Sequence, residues 1–137
     1  MGMERSVEVI EHPGEIRLRL RAASFGELAV VAAQALARLE LRRDVEATGP
    51  WREITVGGRD REALLVNWLN ELIYLAETER WVGTAFTPVR ETGTALEMRA
   101  HGVMVESAPS QVKAATFHGL RITTTSSGLE AVLVLDV

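Results

Sequence analysis

The hydrophobic period changes four times along this chain, and that restricts the fold more than any single motif does. Residues 7 to 21 keep a period of two, 24 to 41 a period near 3.6, and 51 to 56 return to extended character. Residues 61 to 78 turn helical, and from Trp81 onward the pattern is β again. In Glu15-Ile16-Arg17-Leu18-Arg19-Leu20-Arg21, apolar and charged residues alternate without a fault, as in a half-buried strand. Pro13-Gly14 joins it to a strand from Val7 to Glu11. That dipeptide suits a type II turn, which splays a tight hairpin, so a bulge or wider loop is expected. Ser24-Phe25-Gly26-Glu27 is a capping box. The helix after it, to about Leu41, shows Phe25, Leu28, Ala29, Ala32, Leu36 and Leu39 on one stripe. Asp60 is the expected N-cap of a second helix, Arg61 to about Thr78, with Asn67, Asn70, Glu71 and Glu77 opposite its core stripe. Four strands are expected after it: Trp81 to Val89, Ala95 to Val105, Gln111 to Thr124 and Leu129 to Val137. The last is apolar on nearly both parities, so it should be central and covered on both faces. The order predicts an α+β fold of two layers, with two main helices packed on a mixed, mostly antiparallel sheet. At 137 residues, one domain spanning 1–137 is expected.

Composition narrows the chemistry. There is no cysteine, which excludes a disulfide scaffold, a thiol nucleophile and any Cys-based metal site. No apolar run is long enough to span a bilayer and no leader is visible, so no membrane association and a cytoplasmic location are expected. The net charge of -4 argues against autonomous nucleic-acid binding, which draws its affinity from phosphate neutralisation. Autonomous RNA or DNA binding is therefore disfavoured, although a local basic patch could survive.

The histidines His12, His101 and His118 are far apart and lack a His-x-x-x-His spacing, so they read as turn, strand-face and hydrogen-bonded residues. Arg17, Arg19 and Arg21 share one strand face. They could hold an anion, but a solvated face paired across strands with Glu such as Glu8 is the expectation. Two positions demand more. Asp136 ends an apolar strand, and an unpaired carboxylate in a buried place is costly. Lys113 is the only lysine. A salt-bridged strand end and a metal site both satisfy Asp136.

Together these segments resemble the archease family. The resemblance is carried by His12-x-x-Glu15-Ile16 followed by Ser24-Phe25-Gly26-Glu27-Leu28, and by the run from Asp60 to Leu75. Val112-Lys113-Ala114-Ala115-Thr116-Phe117-His118-Gly119-Leu120 and the closing Asp136-Val137 complete it. The resemblance implies a protein cofactor of RtcB-type RNA ligases, acting in tRNA splicing and RNA repair. Such a protein promotes the ligase's guanylylation and turnover and is not itself an enzyme. It also implies a divalent-cation site on Glu15, Asp136 and Val137, with Ca foremost and Mg or Mn as other candidates. Lys113, His118 and His12 are the implied activation residues. The family's usual first turn, His-Thr-Ala-Asp-Ile-Gly, is here His12-Pro13-Gly14-Glu15-Ile16-Arg17. That lengthens the carboxylate by a methylene, changes the turn and adds a cation. A chaperone-like binding module without metal and a metal-dependent phosphoester hydrolase are the alternatives. A monomer or weak homo-oligomer is expected.

Overall fold

In a computed structural model, residues 4–109 and 111–137 are described. Strands β1 (Ser6–His12) and β2 (Glu15–Ala22) lead into helix α1 (Phe25–Leu41). Strand β3 (Arg52–Gly57) and helix α2 (Arg61–Glu79) follow, then β4 (Trp81–Glu91), β5 (Ala95–Met104), β6 (Ala114–Thr116), β7 (Thr123–Thr125) and β8 (Gly128–Asp136). The α+β fold with two main helices is as expected, and its strands are divided between two sheets. β1-β2-β8-β6 form one sheet, with β7 also paired to β8, and β3-β5-β4 form a second. Every strand pairing among the described residues is antiparallel.

Both helices start where their caps direct. Ser24 Oγ accepts from Glu27 N at 3.3 Å, and Asp60 Oδ1 accepts from Ala63 N at 2.8 Å. Each ends on an arginine in the left-handed conformation, Arg42 (φ 61) and Arg80 (φ 57). The helices bridge the two sheets: α1 packs on β2 and β4, and α2 on β3, β4 and β6. They run side by side in the same direction. Trp68 Nε1 of α2 donates to Ala29 O of α1 at 3.0 Å, and further along Ala37 and Ala76 join Val82 in one apolar cluster. Leu18, Leu20, Leu28, Leu64, Trp68, Leu96 and Leu133 lie at the centre of a core shared by both sheets. Among the described residues no helix is long and apolar enough to cross a membrane.

Three local expectations change. The Pro13-Gly14 connection is a tight two-residue turn: pairing runs unbroken from Ser6↔Arg21 to His12↔Glu15, and Gly14 takes φ 79. The segment Gln111 to Thr124 is not one strand. β6 and β7 both pair with β8, but the six residues 117–122 between them face only Ala131, Val132 and Leu133. The surplus loops out through a turn in which Leu120 N donates to Phe117 O at 3.0 Å and Gly119 takes φ 64. Finally, β8 is central, yet its outward face is covered only in part: Val134 is buried, while Val132 is exposed.

Candidate functional site

The site is built by strand register. On β2 the apolar Ile16, Leu18 and Leu20 point into the core, so Glu15, Arg17, Arg19 and Arg21 take the outward face. On β8 the same alternation turns Glu130, Val132, Val134 and Asp136 outward. Glu15 stands opposite Asp136 across β2–β8 and opposite His12 across β1–β2. His12, Glu15 and Asp136 therefore occupy one rung of one face, where directly opposed Cβ atoms lie about 4.5–5.5 Å apart.

The other expected residues gather at the same end of the sheet. Ala114 faces Asp136 on β8's far side, and the preceding Lys113 donates its backbone N to Asp136 O at 2.8 Å, with its side chain exposed. Val137 N donates to Gly14 O at 3.3 Å, which ties this residue to the hairpin turn. His118 lies in the 117–122 turn, near enough to Glu15 for its charge to act on that carboxyl. His101 is elsewhere, in the second sheet, stacked on Trp51 with ring centroids 4.9 Å apart. Asp136 is exposed, so burial does not force a partner on it. Among the described residues neither Asp136 nor Lys113 forms a side-chain ion pair.

Glu15 is different. Its Oε2 lies 2.6 Å from Arg17 Nε. This hydrogen bond holds the Glu15 carboxyl below the usual carboxylate range; partial desolvation opposes it, and the charges of Arg17, His12 and His118 support it. The two arginines beyond pair as expected, Arg19 with Glu8 at 3.8 Å and Arg21 with Glu130 at 2.9 Å.

The donor set does not fit a divalent cation as it is folded. Calcium takes about six to eight oxygens, and magnesium demands a near-ideal octahedron. Here a Glu15 oxygen is held by a guanidinium, and among the described residues no three His, Asp or Glu side chains are grouped so as to hold a metal ion.

Helix α2 supplies residues that the sequence pattern marks only as a polar face. Asn70 Oδ1 accepts from Ala115 N at 2.8 Å, and Asn70 Nδ2 donates to Ala115 O at 3.1 Å. The amide replaces a neighbouring strand and fixes β6, hence the backbone of Lys113. Two turns earlier, Glu62 Oε2 accepts from Ile122 N at 3.1 Å and fixes the far end of the 117–122 turn. A signal did exist: Asn is a poor helix former, and two of them three residues apart in mid-helix ask for a tertiary reason.

Comparison with known proteins gives one consistent result. Residues 8–137 match the model of the Archease protein family. The chain is 31% identical to the protein archease of Archaeoglobus fulgidus over 134 residues, covering 93% of this chain and 96% of that one. It is 28% identical to the archease of Methanosarcina barkeri over 141 residues, covering 97% of each. The solution structure of Methanobacterium thermoautotrophicum protein 1598 superposes with a TM-score of 0.72 at 22% identity, over 96% of this chain and 98% of that one.

Proposed function

This chain belongs to the archease family, and on that premise we propose that it is an accessory protein that activates an RtcB-type RNA ligase without performing the chemistry itself. The observation that supports this most is the rung: Glu15 and Asp136, distant in sequence, stand opposite each other with the backbone of Lys113 bonded to Asp136. A cation and two carboxylates on an exposed, rigid sheet end can enter a partner's site and reorganise charge there. Groups fixed in advance cost little reorganisation when they act. In this reading RNA is met through the ligase.

The test is guanylylation and repeated turnover of the cognate ligase, with and without this protein. Lys113→Ala and Asp136→Ala should each cut the activation roughly tenfold or more. Both side chains are exposed, so stability should stay within about 0.5 kcal/mol of the parent. Activation that survives both substitutions would refute the assignment. It would favour a binding module without site chemistry, a reading that the Glu15–Arg17 pair also allows.

A further inference from the structure

We propose that Arg17 is a tethered cation that stands at Glu15 where a divalent metal ion would otherwise bind, so that the rung is partly compensated by the chain's own charge. The assignment takes the rung to be the functional site, as proposed above, but its test reads metal binding alone.

Strand geometry makes the pairing local. Arg17 follows Glu15 by two residues on the same outward face, so the two side chains are neighbours whenever β2 forms. The contact is short and charge-assisted, Nε to Oε2 at 2.6 Å. A guanidinium stays protonated at any working pH and cannot diffuse away. An incoming ion must displace a competitor held at high effective concentration.

Arg17 is also placed to serve the second carboxylate. It sits opposite Val134, two residues from Asp136 on the same face of β8. Such diagonal neighbours lie about 7–8 Å apart, within reach of long side chains. Only Nε of Arg17 is engaged among the described residues, which leaves both Nη groups available. The guanidinium thus offsets one of the two side-chain carboxylates of the rung and stands within reach of the other. A divalent ion arriving there meets a partly compensated pair and must displace Arg17 to reach the Glu15 oxygen it holds.

The experiment is titration of the isolated protein with Ca²⁺, Mg²⁺ and Mn²⁺ separately, by calorimetry, for the parent, Arg17→Gln and Arg17→Ala. Circular dichroism checks that each variant folds, which the partly exposed position of Arg17 favours. The proposal expects weak or undetectable binding by the parent. Both variants should gain roughly tenfold or more in affinity for at least one ion. Adding Asp136→Ala to Arg17→Gln should remove the gain. Parent binding as tight as that of the variants, variants that bind no better than the parent, or a gain that persists without Asp136 would overturn the proposal. Because no ligase is present, failure here leaves the activation reading standing, and failure of activation leaves this one standing.

Discussion

Glu40 sits in the last turn of α1, partly buried, with Glu77 of α2 nearby. Burial, and then the Glu77 charge, push its carboxyl up to about 8. The helix end adds to the effect, since carbonyl dipoles there disfavour a negative charge. The sign follows from proton counting. Between the ordinary value of 4.5 and about 8, the folded chain holds a proton that the unfolded chain has lost. Stability therefore falls as pH rises through that window and levels off above it. Glu40→Gln should match the parent at low pH and exceed it above pH 8 by up to about 5 kcal/mol, less whatever solvent screens at this partly buried site, as read from thermal melts across the range. A parent whose melting temperature is flat from pH 5 to 8 would contradict this.

Among the elements, α2 does most to organise the site. Its inner face buries Leu65, Trp68, Leu69 and Leu72, while its flank holds the β6–β7 segment through Asn70 and Glu62. Asn70→Ala should cost about 1–3 kcal/mol, because it leaves both the N–H and the C=O of Ala115 without that partner. Hydrogen exchange should show the Ala115 amide losing protection while the amides of α1 keep theirs. Equal loss in both places would mean that Asn70 supports the fold at large rather than this segment. The same segment shows where sequence reading stops. The alternation in Glu15 to Arg21 marks β2 to within a residue, because one apolar face against one charged face has a single solution. Gln111 to Thr124 has the β-branched content of a strand, yet Gly119 admits a left-handed turn and three extra residues are looped out. Looping is decided by the register of β8, which lies further along the chain. The bulge expected at Pro13-Gly14 failed for a related reason: tight pairing of β1 with β2 overrides the turn's own preference for splay.

At the level of the whole molecule, the two sheets share one core, with the helices between them. Trp68 marks the junction. It is fully buried, donates to Ala29 O at 3.0 Å and meets the Phe86 ring edge-on at a centroid distance of 5.7 Å. Trp68→Ala should destabilise by about 3–5 kcal/mol. Both sheets should then melt in one transition, followed by resonances from β2 and from β5; two separated transitions would show that the sheets fold independently. The fold class and element order were legible in the period changes, since each element's face is written locally. The division into two sheets was not, because it depends on which edges pair across long separations. For the candidate site, the resemblance pointed to Glu15, Asp136 and Lys113, which the register brings to one end of the sheet, while the grip of Arg17 on Glu15 needed coordinates to be seen.

The looped-out turn between β6 and β7 has one more effect. A strand with a clean outer margin is a template on which another copy of the chain can grow, and growth of that kind ends in fibres. Here the margin beyond β8 is broken into two three-residue pieces whose registers disagree, and Asn70 already occupies the backbone of one of them. No straight stranger can zip along it, so the molecule is guarded against sticking to itself along this side.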